Sequence, residues 1–538
     1  MKKLILIICF ALLLCFFAVD SWAATYYVSA DGNDGANCAS WANRCATISR
    51  ITAIDGPGDK ILFREGDTFA IAAKWILPGA NMTLNACDSS GNEITGESSS
   101  KPAIDGESTF PSFSTSSPRS MIFSAYSGTT IKNIEFENGH QGFDYLDKTS
   151  CPNNPPSCWD EDADEYDYDD YGGHAIRLGT GSDDATVQYC IIHDMWTGGI
   201  SVGTITGLLI DNNELYHNNL YYQNTEQASP YITYGWDPNI SAWASTSSTI
   251  SNNYIHSTFG EGINLGSNCT ASGNIVSDTS SGALYINGRS NSTISGNLVL
   301  HTNETFYRKH DLSYHKGIGV NVESGGDFTL SANNKVFNNI VINAANGIKL
   351  SCDEGGEEHY GTSIIGNTLI DNDENFTITG ADYVSKTGED PLIIRNNIFY
   401  CEDADCDLGS LSNGTVDEQT FSDNLWYNSA DGSDYTNMTS ELKSGSDRTG
   451  DPLFARSVYV DLPITAIGDI LIPSYVTPAA GGDGVDQGYT AGSPYNVDYS
   501  GTTRPVDLYD IGAIEYAGAP PAATAPFSGM LPQGCIFN

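Results

Sequence analysis

STISNNYIHST (residues 248–258), CTASGNIVSDT (269–279) and STISGNLVLHT (292–302) align without gaps and place Asn253, Asn274 and Asn297 in one register. Between the copies lie two shorter matching pieces, EGINLG (261–266) and GALYIN (282–287). The copies start 21 and then 23 residues apart. That period is too short for a helical repeat; two β-branched strands and a Gly/Asn corner suit one turn of a parallel β-helix. The fold class expected is therefore all-β, a solenoid of parallel strands.

Outward from these copies, the corner position recurs at Ile134, Cys190, Asn213, Asn339, Asn367, Asn397 and Asn424, usually with an apolar residue three before it and another two after. Stacked coils repeat at about 4.8 Å, so such asparagines form a ladder in which each amide bonds its neighbour and the corner backbone. Their apolar partners, Ile250, Ile255, Ile294, Val299, Ile364 and Leu369 among them, are expected to fill the interior. A second column follows a Gly-Ile strand: HAIRL (174–178), GGISV (198–202), EGINL (261–265), GALYI (282–286), KGIGV (316–320) and NGIKL (346–350). Alternation points the isoleucines inward, so Arg177, Ser201, Asn264, Tyr285, Gly319 and Lys349 face out. Just before each strand stand His174, Gly198, Glu261, Gly282, Lys316 and Asn346. A straight row of outward residues is a natural bed for a linear polymer.

Three long insertions, 139–172, 219–238 and 301–316, interrupt the repeat at one place, between the Asn corner and the outward strand. Insertions at a single repeat position leave the solenoid on one side, where they would wall a groove. The first carries WDEDADEYDYDDYGG (159–173), whose Asp167, Asp169 and Asp170 could supply oxygens to calcium, although the spacing is not that of an EF-hand and a solvated acidic run needs no ion. Aromatic residues mark the second and the stretch that runs out of it, YYQNTEQASPYITYGWDPNISAW (221–243), where Tyr231, Trp236 and Trp243 are candidate platforms for sugar rings. In the third, FYRKHDLSYHKG (306–317), basic residues are unusually dense: Arg308, Lys309, His310, His315 and Lys316. The competing reading is a basic loop pairing with an acidic surface. His193, His217, His256 and His301 read as corner residues, and no spacing suggests zinc.

The ends of the chain complete the layout. Lys2 and Lys3, the apolar run from Leu4 to Val19 and Ser21-Trp22-Ala23 read as a cleaved signal over residues 1–23, so we expect export to the medium, periplasm or cell surface, with no membrane insertion. The helix extends over 24–516, and 517–538 is a Pro/Ala linker with a short tail. Eleven of thirteen cysteines remain after Cys9 and Cys15 leave with the signal; Cys38/Cys45, Cys151/Cys158 and Cys401/Cys406 are near enough to staple loops. Net charge is −43, from 67 acidic and 24 basic residues. That balance excludes general nucleic-acid affinity, and lets a polyanion bind only through a local basic patch or bridging cations. A monomer is expected.

The opening ATYYVSADGNDG (24–35) and PGDKILFREGDTF (57–69), with a short helix expected near Ala46–Ile54 between them, resembles the start of right-handed parallel β-helix proteins of the pectate-lyase-like superfamily. The closing GGDGVDQGYTAGSPYNVDYSGTTRPVDLYDIGAIEYAG (481–518), with its G-x-x-RP and DIGA-x-E pieces, resembles the end segment of many exported members and is expected to cap the last coil. The resemblance spans most of the mature chain and implies the fold; the superfamily holds lyases, hydrolases, epimerases and binding proteins. By likeness to its polysaccharide lyases, often calcium-dependent, Lys316 would be the base of a β-elimination. His315 or His310 would stand in for it, and Arg308 and Lys349 would neutralise a uronate carboxylate. Substrate contacts would come from Arg177, Glu261, Asn264, Tyr285, Tyr231, Trp236 and Trp243. A glycoside hydrolase using Glu261 with Asp237 or Asp311, and a non-catalytic surface spacer, stay open beside it.

Overall fold

The computed structural model describes residues 23–106, 120–139, 173–219, 238–301, 316–323, 330–352, 358–380, 390–402, 406–412, 419–428, 444–454, 476–505 and 509–516. They form a parallel β-helix. Each coil visits three sheets in turn, as Thr249–Ser251, Tyr254–Thr258 and Ile263–Ser267 do. The first sheet stacks 13 strands from Thr25–Val28 to Gln419–Ser422, and the second 13 from Thr68–Ala70 to Arg448–Thr449. A third holds 11, from Trp75–Ile76 to Ser410–Ser412. Neighbouring strands are parallel and in register, so equivalent residues of successive coils lie in columns. One apolar core runs through the coils from Val28 to Trp426.

The corner between the first and second sheets is the asparagine ladder. Asn213 donates to Asn253 Oδ1 at 2.9 Å, Asn253 to Asn274 at 3.0 Å, Asn274 to Asn297 at 3.0 Å and Asn297 to Asn339 at 2.9 Å. It continues through Asn367 and Asn397 to Asn424, which ends on Asp447. These amides are buried, and the first rung passes to the Cys190 backbone, whose N–H donates to Asn213 Oδ1 at 2.9 Å. The left-handed residue of the corner is the one before the ladder: Asn212, Asn252, Asn338 and Asn396 have φ of 54–55°, and Gly273, Gly296 and Gly366 take the same role. Two kinds of asparagine therefore stand side by side. One tolerates the backbone turn, the next satisfies it.

The N-terminal helix is a single turn, Ile48–Ile51, shorter than the sequence suggested, with Thr47 Oγ1 accepting from the Arg50 N–H. Disulfides Cys38–Cys45 and Cys401–Cys406 form as expected, while Cys151 and Cys158 lie outside the described residues. Residues 476–505 and 509–516 lie along the side of the solenoid, where Val476, Tyr499, Ile511, Ala513 and Ile514 cover an apolar stripe on the outer face of the second sheet. That stripe, with Ile275, Leu298, Ile340, Ile370, Ile398 and Leu425, would otherwise face water. Arg504 holds the closing segment together: its guanidinium reaches Glu515 at 2.6 Å, the carbonyl of Gly512 at 2.8 Å and Asn338 Oδ1 at 3.2 Å. The two motif pieces of the C-terminal segment are thus the two halves of one buried ion pair.

Candidate functional site

On the third sheet the outward column is in the order read from the sequence, with one addition. Arg177 pairs with Ser201, Ser201 with Ser241, Ser241 with Asn264, Asn264 with Tyr285, Tyr285 with Gly319, and Gly319 with Lys349. Ser241 escapes the sequence pattern because its strand lacks the Gly-Ile signature and shifts register between Ala242 and Thr246. The column just before it holds Lys316 opposite Asn346, and Asn346 opposite Glu374. Residues bracketing the three long insertions sit at one corner, between the second and third sheets: Gly139 and Gly173, Asn219 and Pro238, His301 and Lys316. A shorter interruption, between Gly106 and Ser120, falls at that corner too.

The centre of this face is built around Tyr285. Its ring lies over Gly319, where an added Cβ would stand 2.7 Å from Tyr285 Cδ2, so only a glycine leaves the ring its space. The phenol donates to Glu323 and accepts from Asn321 Nδ2 at 3.0 Å. Asn287 Nδ2 donates to the other Glu323 oxygen at 3.0 Å. Tyr285 is only 3% exposed, so it is a floor of the face and not an open platform. Burial first, then the charges of Glu323 and Glu261, push its hydroxyl far above the ordinary phenol range, keeping it protonated. The Lys316 ammonium stands 5.7 Å from the Tyr285 ring centroid. Glu261, 7% exposed, accepts from Asn264 Nδ2 at 3.2 Å.

Lys349 lies on the strand next to Lys316, three residues further along, which places their Cα atoms about 11 Å apart. Downstream, Asn346 donates to Glu374 at 3.0 Å and to Thr377 Oγ1 at 3.3 Å. Upstream, Trp243 is 46% exposed and carries the Arg289 guanidinium 5.1 Å over its ring. Arg177 lies six strands from Lys349, about 29 Å, and shares the far end with Lys74. Burial, with Arg177 nearby, pushes the Lys74 ammonium down. His315, His310, Arg308, Tyr231, Trp236, Asp167, Asp169 and Asp170, with Asp237 and Asp311, lie outside the described residues. The sequence reading missed Glu323, Asn287 and Asn321. The two asparagines were within reach, being two positions past Tyr285 and Gly319 and hence on the same face.

The sequence profile described as a right-handed β-helix region matches residues 170–369. No curated protein matches the chain by sequence. Among solved structures, XylC in complex with xylose is 13% identical, covers 91% of this chain and 98% of its own, and superposes with a TM-score of 0.51. Pectate lyase Pel9A is 13% identical over 92% and 97% of the two chains, with a TM-score of 0.43. PfbA, a surface adhesin of Streptococcus pneumoniae, is 14% identical over 71% and 85%, with a TM-score of 0.45. The fold is thus that of right-handed parallel β-helices.

Proposed function

We propose that this right-handed parallel β-helix is an exported enzyme that binds a uronate-containing polysaccharide along the outer face of its third sheet and cleaves it by β-elimination. The observation that supports this most is the placing of Lys316 and Lys349 on adjacent strands of one outward face, in a chain of net charge −43. Elimination needs a cation against the sugar carboxylate, which acidifies the neighbouring carbon-bound proton, and a base to take it. Lys316, in its neutral form, would take the proton; the carbon–oxygen bond to the leaving sugar then breaks, a C=C bond forms, and the departing oxygen is protonated. Lys349 would hold the carboxylate, joined by Arg308. Trp243 would stack a neighbouring sugar. Calcium, with Asp167, Asp169 and Asp170 as its ligands, belongs to the same proposal as a further partner for the carboxylate.

A hydrolase on the same face is the second reading, favoured by two carboxylates, Glu261 and Glu323, whose charges both act on Tyr285. A panel of polyuronates and neutral glycans, with and without calcium, separates the readings. Rising ultraviolet absorbance from unsaturated ends marks elimination, and new reducing ends without that absorbance mark hydrolysis. Lys316→Ala should cut the elimination rate by about 10²–10⁴-fold with the coil intact by circular dichroism. Full activity in that variant removes Lys316 from the mechanism, and no product from any glycan leaves a non-catalytic surface protein.

A further inference from the structure

Away from the third sheet, the outer face of the second gathers an imidazole and several carboxylates with no part in the proposed glycan site. Glu135 and Glu137 point out together from Glu135–Glu137, two apart on one strand, and His193 stands at the end of the adjacent strand Ile191–His193. His193 Nε2 is 3.1 Å from Glu135 Oε1 and 3.9 Å from Glu137 Oε2. Its other nitrogen, Nδ1, is 2.7 Å from Asp194 Oδ2. Only 8% of His193 is exposed, and its ring is stacked on Tyr216 at 4.7 Å between centroids, so its orientation is fixed. The three candidate donor atoms all lie within 4.8 Å of one another.

We propose that Glu135, Glu137 and His193 form a binding site for a borderline divalent transition metal, of which Zn²⁺ is the type. Ligands at zinc bond lengths of about 2.0–2.1 Å in a tetrahedron stand about 3.4 Å from each other, and the two imidazole–carboxylate separations bracket that value. Asp194 supplies the feature that distinguishes a metal ligand from an ordinary surface histidine. By accepting the Nδ1 proton it fixes the tautomer that turns the Nε2 lone pair toward the two glutamates, the carboxylate–histidine–metal arrangement. Charge points the same way. Asp105 is in register with Glu137, and the charges of Asp105, Glu135 and Asp194 all act on Glu137. Against these four carboxylates stand His193 and, 3.8 Å from Asp194, His217, an excess of negative charge that a dication relieves. One nitrogen with two carboxylate oxygens favours a borderline metal over Ca²⁺ or Mg²⁺, which prefer oxygen alone. Glu135 and Glu137 keep 30% and 24% exposure, leaving an entry path and room for water as a fourth ligand.

The competing state is a plain imidazolium ion pair, since the surrounding carboxylates also hold the His193 ring protonated, at about 9 against burial. Titrating Zn²⁺ into the chelator-stripped mature chain by calorimetry, with magnesium in large excess to fill diffuse acidic sites, decides between them. One tight zinc per chain is expected. Glu135→Gln and Glu137→Gln should each weaken it by at least about 100-fold, and Asp194→Asn by about 10–100-fold. The X-ray absorption fine structure of the zinc-loaded wild-type chain should show one imidazole nitrogen among the nearest ligands. No retained zinc in excess magnesium, an oxygen-only shell, or undiminished binding in the Glu135→Gln, Glu137→Gln double variant would overturn the site.

Discussion

Asn274 shows how much one side chain carries in this fold. Its Nδ2 donates to the Ile250 carbonyl at 3.0 Å and to Asn297 Oδ1 at 3.0 Å, while its Oδ1 receives both the backbone N–H and the side-chain amide of Asn253. Asn274→Ala strips partners from groups that water cannot reach, each worth about 1–3 kcal/mol. A loss of about 3 kcal/mol or more is expected from urea unfolding of the variant. A loss under about 1 kcal/mol would show that the ladder is ornamental. His359 makes the opposite bargain. It is buried, and burial pushes its imidazole down to about 4 from the usual 6.5. The folded state therefore holds the neutral ring, and its contribution is complete above pH 6.5 and is lost as pH falls from 6.5 through 4. The loss amounts to about 3 kcal/mol. Stability measured between pH 7 and 4 should fall less steeply in His359→Gln than in the wild type; parallel curves would contradict the assignment. Only one of the two roles was legible in the sequence. The ladder was, because its spacing repeats, whereas the burial of His359 depends on a short parallel pair, Leu330–Ala332 with Glu358–Tyr360, that no repeat announces.

At the scale of elements, stacked strands turn a sequence period into a spatial column, which is why the outward row from Arg177 to Lys349 could be read before the structure. What could not be read is contact between columns. Tyr285 looks like an exposed aromatic in the repeat, yet the glycine opposite it and the carboxylate of Glu323 draw its ring down onto the sheet. Glu135, Glu137 and His193 meet only because Glu135–Glu137 and Ile191–His193 are neighbours in space across the insertion that separates them in sequence. The closing segment is the clearest case. Its sequence pieces announce a familiar end, but only the fold shows that they lie sideways over the second sheet and join through Arg504 and Glu515. Burial outweighs the lowering by Arg504 and leaves the Glu515 carboxyl raised to about 7, so removing the guanidinium leaves a buried acid without its counter-charge. Arg504→Ala is expected to cost about 3–5 kcal/mol at this joint. It should free residues 476–516 for limited proteolysis and let a hydrophobic dye bind the uncovered stripe at Leu298, Ile340 and Ile370. Proteolysis and dye binding unchanged from the wild type would show that the apolar contacts hold the segment unaided.

The molecule as a whole is a rod of coils sharing one core, and its overall class was legible because every level agreed: repeat length, corner chemistry and alternation all called for the same coil. Charge is the property that belongs to the whole rod and to no coil. At −43, the chain repels any polyanion until the partner is close enough to meet the local cations of the third sheet. Screening length falls from about 30 Å at 0.01 M salt to about 10 Å at 0.1 M. Over that range the long reach of the net charge is cut, while contacts at Lys316 and Lys349, made at a few ångströms, are weakened much less. A polyuronate should therefore associate faster as salt rises toward 0.1 M, the reverse of what a basic groove on a neutral protein gives, and a neutral glycan should be indifferent. Stopped-flow or KM measurements across that range test this. A steady fall in polyuronate association from the lowest salt upward would mean that the local basic patch governs the encounter from a distance and the net charge of the rod does not.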